Sequence, residues 1–115
     1  MPQQEVPSVT VSDLPAALPE GVTLLDVREP DEWAAGHAPE AVHIPMGELA
    51  ARLGELPAEA NLYVVCRGGG RSSRATTFLN ASGRNATNVD GGMKAWHAAG
   101  RPMVGDVPGA DPEVI

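Results

Sequence analysis

The chain has 115 residues, enough for one domain with a single buried core. Its formal net charge of -7 argues against nucleic acid or an anionic membrane surface as a main partner. One cysteine forms no internal disulfide, and no CxxC or Cys/His cluster points to a metal, so neither metal nor cofactor is expected.

The N-terminal residues Met1 to Glu5 lack the basic and apolar regions of a secretory leader, and no apolar run reaches the length of a membrane span. The expected location is therefore cytoplasmic. Without a leader, the sequon-like triplets at Asn80 and Asn85 read as chance. Trp33, Trp96, Tyr63 and Phe78 are the only aromatic residues, so the core must be built mainly from Val, Leu, Ile and Ala.

In chain order, Val9 to Val11 predicts a short strand. Ser12 can cap a helix that tolerates Pro15 in its first turn and puts Leu14, Ala17 and Leu18 on its apolar side, with Gly21 as its stop. Val22 to Val27 is a continuous apolar run, the pattern of a parallel strand covered on both faces. Pro30 fits the first position of a short helix, and Glu29, Asp31 and Glu32 suit the positive end of its dipole. Gly36 ends it.

Ala41 to Ile44 predicts another short strand, closed by Pro45. From Met46 the spacing of Met46, Leu49, Leu53 and Leu56 predicts a helix with one apolar face. Asn61 to Val65 is the strand that leads into Cys66. Beyond the loop, Ala75, Phe78, Leu79 and Ser82 recur at helical spacing, and Gly83 is a natural stop. Thr87 to Val89 predicts the last strand, and Gly91-Gly92 turns it into a helix bearing Met93 and Trp96 that Gly100 ends. Residues 104–115 are rich in Gly, Pro and acid, which predicts a loosely held tail.

Strands alternate with helices throughout, so the expectation is a three-layer α/β fold with a mainly parallel, five-stranded sheet and helices on both faces. The boundaries read as a single domain over 1–115, with its core at about 8–103. In such a sheet ligands bind beyond the carboxyl ends of the strands, where Asp26, Arg28 and Cys66 fall.

The chemistry concentrates in Cys66-Arg67-Gly68-Gly69-Gly70-Arg71-Ser72. A free thiol titrates near 8.5, roughly, and a helix N-terminus or nearby arginines lower that value. Gly68, Gly69 and Gly70 leave the approach open and permit the backbone turns that aim successive N–H groups inward. Such a nest stabilises a thiolate or a persulfide anion, and Arg67 and Arg71 can hold an oxyanion beside it. Ser72 is placed to cap the following helix and to donate into the loop. A lone cysteine ending a strand is often a small buried hydrophobe, but a core cysteine needs neither a glycine loop nor flanking arginines. A nucleotide-binding P-loop requires Lys where Arg71 stands. Only four residues separate Cys66 from Arg71, one fewer than in a phosphatase loop, and the tighter cradle suits a sulfur atom better than a phosphoryl group.

Three segments carry a family resemblance over residues 8–103. The first is Leu25-Asp26-Val27-Arg28-Glu29-Pro30 with Glu32-Trp33, Gly36-His37 and His43-Ile44-Pro45. The second is the loop from Cys66 to Ser72, and the third is Val89-Asp90-Gly91-Gly92 followed by Trp96. Together, in this order, they resemble the single-domain rhodanese (thiosulfate sulfurtransferase) family. The resemblance implies a persulfide relay. Cys66 takes the outer sulfur of thiosulfate or another small anionic donor and passes it to cyanide, a thiol or a protein acceptor, while the loop amides from Arg67 to Ser72 hold the persulfide.

By the same resemblance Asp26 and Arg28 support the site; the alternative is a structural ion pair of Arg28 with Glu29 or Glu32. Two departures are visible. Gly68 stands where the common single-domain loop has Ser, and Ala38-Pro39-Glu40 replaces the usual Ile-Pro-Gly. His37 and His43 read as structural, His97 as surface, and Trp33 and Trp96 as core or groove wall. The alternatives to an enzyme active on thiosulfate are a sulfur carrier or binding module on the same scaffold, and a phosphatase or arsenate reductase.

Overall fold

The apolar run at Val22–Asp26 forms strand β2, and it is paired on both sides. A computed structural model describes residues 6–115; Met1 to Glu5, read above for a leader, lie outside the described residues. Along the chain, β1 (Ser8–Thr10), β2, β3 (Val42–His43), β4 (Asn61–Val65) and β5 (Asn85–Asp90) form one five-stranded sheet in the order β1-β5-β4-β2-β3. Every pairing is parallel. This is the α/β architecture expected from the alternation of elements.

The register brings the carboxyl ends of the strands to one edge of the sheet. Asp26 lies opposite both His43 and Val65, Val64 opposite Asn88, and Thr10 opposite Asp90. The three helices are α1 (Pro30–Ala35), α2 (Gly70–Ala81) and α3 (Gly92–Ala98).

Alternation along the central strands divides the core in two. Leu25 and Val64 face Ile44, Leu49, Leu56, Ala75 and Leu79, the layer covered by α2. Leu24 and Val65 face Val11, Leu14, Val89, Met93 and Trp96, the layer covered by α3. Fully burying a Leu or Val contributes about 1.5–3 kcal/mol relative to leaving it exposed, so the buried central strands supply much of the stability. Among the described residues no helix is long and apolar enough to cross a membrane.

Three local expectations are corrected. The helix expected from Ser12 is a single 3₁₀ turn over Val11–Asp13, because Leu14 is extended ahead of Pro15. A residue preceding proline is pushed out of the α region. The helix expected from Met46 is two 3₁₀ turns, Met46–Glu48 and Leu53–Glu55. Gly47 and Gly54 weaken a helix there, while Leu49 and Leu56 still reach the core and Arg52 bridges Glu48 and Glu55.

The third correction concerns the tail, which is held rather than loose. Val104 pairs with His37 as an antiparallel bridge, the Asp106 amide donates to the Ala34 carbonyl and the Glu113 amide to that of Ala35. Backbone pairing supplies here what the Gly- and Pro-rich composition hides. Strand β5 is also longer than Thr87 to Val89, because Asn85 and Asp90 disguise its ends as loop.

Candidate active site

β4 delivers Cys66 to the carboxyl edge of the sheet, and the chain then turns into α2. Gly69 makes that turn. Its φ of +113° is open to glycine at little cost, and it stands at the N-cap of α2. Ser72 therefore lies within the first helical turn and does not cap it. Gly68 and Gly70 have open space where a side chain would start, so the outer face of the loop is unobstructed.

On the inner side the fit is close. A Cβ on Gly92, at φ +55°, would lie 2.8 Å from the Arg67 carbonyl oxygen and closer still to that of Cys66. The first turn of α3 binds the loop's backbone, with the Met93 amide donating to the Cys66 carbonyl at 2.8 Å and the Lys94 amide to the Arg67 carbonyl at 3.0 Å.

Cys66 is 1% exposed and its sulfur accepts two hydrogen bonds, from the Gly69 amide at 3.0 Å and from the Ser72 hydroxyl at 3.3 Å. Burial pushes the thiol up, but hydrogen bonds from the Ser72 hydroxyl and from the amides of Ser72, Gly69 and Gly68 outweigh it. The net displacement is below the ordinary value of 9.0. A thiolate at this position is surrounded by donors, the condition for a nucleophilic sulfur.

The two flanking arginines have different surroundings. Arg67 is exposed, and its Nε donates to the Ile115 carbonyl at 2.8 Å. Both terminal nitrogens of Arg71 are engaged by Glu32 of α1, at 2.7 and 2.8 Å. Arg71 and the Cys66 thiolate still attract one another. The sequence offers Glu32 as charge for a helix end or as a partner of Arg28; nothing local to residues 29–32 signals a partner on α2.

Asp26 and Arg28 form a fully buried pair with each other, so Glu29 and Glu32 are not the partners of Arg28. Arg28 Nε donates to both Asp26 oxygens, and Nη2 donates to Asp26 and to the Gly36 carbonyl. None of these bonds reaches the sulfur. The pair fixes the β2 edge and the turn at Gly36. Trp33 stacks between the rings of His37 and His43, with centroids 3.6 and 4.6 Å away. His37 and His43 bond the carbonyls of Trp33 and Arg28, which agrees with a structural role for both.

Asn88 was missed. It is 3% exposed, and its Oδ1 accepts the Ser72 hydroxyl proton at 2.6 Å. Asn88 pairs with Val64, two residues before Cys66, and its place beneath the loop was detectable only once β5 was known to lie beside β4.

The chain is similar to proteins of known family and fold. The family model described as Rhodanese-like domain matches residues 10–99. A putative sulfurtransferase, YtwF, of Bacillus subtilis is 39% identical over 83 residues, spanning 72% of this chain and 81% of that protein. A putative sulfur carrier protein, YrkF, of the same organism is 38% identical over 78 residues, spanning 67% of this chain and 42% of that protein. Among solved structures, a rhodanese-related protein from Thermoplasma volcanium superposes with a TM-score of 0.79 at 35% identity, over 85% of this chain and 97% of the other.

Proposed function

This chain belongs to the rhodanese-like domain family, and on that premise we propose that it is a sulfurtransferase that moves sulfane sulfur from thiosulfate or a related anionic donor to cyanide or a thiol through a Cys66 persulfide. The observation that carries the reading is a buried sulfur with the Gly69 amide donating to it at 3.0 Å and the Ser72 hydroxyl within reach at 3.3 Å. Such donors stabilise negative charge on sulfur without a general base.

In the first step the Cys66 thiolate attacks the outer sulfur of thiosulfate. A bond forms between Sγ and that sulfur, the sulfur–sulfur bond of the donor breaks, and sulfite leaves with the electron pair. The negative charge passes to the outer sulfur of the persulfide. In the second step the acceptor attacks that outer sulfur and the thiolate returns. Two half-reactions sharing a covalent intermediate predict ping-pong kinetics.

Arg67, exposed at the mouth of the loop, supplies the charge that meets the anionic donor. The backbone amides of Gly68, Gly69 and Gly70 line the place the outer sulfur takes. Arg71, held by Glu32, adds its positive field. Asp26 and Arg28 keep the sheet edge beneath the loop in place. The reducing cytoplasm, where a lone thiol stays free, is the compartment proposed for this chemistry.

The test is thiocyanate formation from thiosulfate and cyanide, with wild type and Cys66→Ser side by side and the persulfide followed by intact-protein mass. Turnover by wild type and none by the variant is expected. Turnover that survives in a folded Cys66→Ser variant overturns the assignment. A Cys66 persulfide that forms without thiocyanate production supports the carrier in place of the enzyme.

A further inference from the structure

The Ser72 hydroxyl has one proton and three acceptors within reach. These are Asn88 Oδ1 at 2.6 Å, the Gly69 carbonyl at 3.2 Å and Cys66 Sγ at 3.3 Å. Ser72, Cys66 and Asn88 are at most 3% exposed, so water does not relieve the competition. The Asn88 amide cannot turn round cheaply. Its Nδ2 donates to Asp90 Oδ1 at 3.2 Å, and reversing the amide would set two oxygens against each other. Oδ1 therefore faces Ser72, where it can only accept. At 2.6 Å this contact lies at the short end for a hydroxyl bond.

We infer that Asn88 is a positioning residue for Cys66, acting through Ser72: it holds the hydroxyl proton while the sulfur is neutral and yields it to the sulfur when Cys66 is a thiolate. A charged acceptor attracts a hydroxyl proton more strongly than an amide oxygen does, so ionisation of Cys66 turns the hydroxyl towards the sulfur. That rotation breaks the Ser72–Asn88 bond, a cost borne by the thiolate and not by the thiol.

Under the sulfur-transfer reading, on which this consequence rests, the persulfide escapes the same cost. Its charge lies on the outer sulfur, Sγ is neutral, and Ser72 can return to Asn88. Asn88 thus favours the loaded state over the empty thiolate and keeps the thiolate basic enough to attack.

The charged groups on the elements around the loop are Arg67, Arg71 with Glu32, Arg74 of α2, Glu29 and Asp31 at the start of α1, Lys94 of α3, the buried Asp26–Arg28 pair and Asp90. Of these only Asp90 bonds Asn88, and none bonds the Ser72 hydroxyl.

The pH dependence of Cys66 alkylation by iodoacetamide tests the inference in the full chain. The chain has one cysteine, so the reacting site is unambiguous. No sulfur donor is needed, so a protein that failed to make thiocyanate would still report.

Asn88→Ala is expected to lower the midpoint, raising the thiolate fraction roughly threefold at a fixed pH beneath it. A merely structural role predicts the opposite sign, because a loosened loop loses its amide donors. Asp90→Ala, at an exposed position, removes the acceptor of Asn88 Nδ2 and is expected to shift the midpoint in the same direction by unpinning the amide, and it serves if Asn88→Ala does not fold. In a Ser72→Ala background, itself raised, Asn88→Ala should add nothing, and the part of the Asp90→Ala shift that passes through Ser72 should vanish. A midpoint that is unchanged or raised in the folded single variants, or an equal shift without Ser72, overturns the inference.

Discussion

Arg71 on α2 and Glu32 on α1, 39 residues apart in the chain, meet as a two-point pair with nitrogen–oxygen distances of 2.7 and 2.8 Å. The pair ties the first turn after the loop to the far side of the β2 edge. It also engages both terminal nitrogens of the arginine that the spacing offers to an incoming oxyanion, leaving Arg71 to act on the sulfur by its field rather than by direct contact.

The pair makes stability depend on pH in a defined window. Hydrogen bonds from Arg71 hold the Glu32 carboxyl down at about 2 against the opposing effect of burial, whereas the unfolded chain takes up its proton near 4.5. A depressed carboxyl stabilises the fold fully above its unfolded value and loses that contribution as the pH falls towards its folded one. Glu32→Gln should therefore be less stable than wild type at neutral pH, and the gap should close between about pH 4.5 and 2. Urea midpoints across that range measure it; a constant gap would contradict the linkage.

The buried Asp26–Arg28 pair should respond more sharply. Arg28→Met leaves the Asp26 carboxylate without its partner and the Gly36 carbonyl without its donor. A loss of about 3–5 kcal/mol in urea unfolding is expected. Asp26→Leu combined with Arg28→Met removes both charges, so the double variant should be more stable than Arg28→Met. A double variant worse than either single change would show that the pair does more than satisfy itself.

Adjacent glycines of the loop should respond with opposite signs. Gly69→Ala puts a side chain at φ +113° and should cost about 1–3 kcal/mol. Gly68→Ala meets open space and no left-handed backbone, so it should be neutral or stabilising by up to about 1 kcal/mol. Thermal unfolding of the two variants decides the matter, and equal losses would mean that the loop turns elsewhere.

Gly36→Ala tests the seating of the tail. Its Cβ would lie 2.5 Å from the Glu113 carbonyl oxygen and 2.7 Å from the Glu113 nitrogen. Amide hydrogen exchange of residues 104–115 should quicken in the variant, most at Glu113, whose amide bonds the Ala35 carbonyl. Unchanged protection there would mean that the tail is anchored by its other contacts, such as the bridge of Val104 to His37.

These cases show what the sequence makes legible. Apolar runs such as Val22 to Val27 and Asn61 to Val65 reveal the central strands because burial on both faces demands continuous hydrophobicity. The loop is legible because Cys66, its glycines and its arginines are contiguous. Relationships between distant segments were not. Glu32 looks like any acid in a first helical turn, Asn88 looks like an ordinary residue of a short strand, and the Gly-Pro tail looks unattached. The elements that failed were those where proline and glycine outweighed apolar spacing, after Ser12 and after Met46. The other misses, at Glu32, Asn88 and the tail, are partners chosen by the tertiary structure.

The contact of Gly92 with the loop has a consequence for when the site comes into being during synthesis. The carbonyls of Cys66 and Arg67 find their donors in Met93 and Lys94, and β5, which leads to those residues, is itself flanked by β1 from the opposite end of the sequence. A nascent chain that has emerged only as far as α2 holds the cysteine and the donors to its sulfur, Gly69 and Ser72, yet nothing to satisfy the two loop carbonyls. The seat beneath the loop is thus completed only when α3 has followed β5 into place.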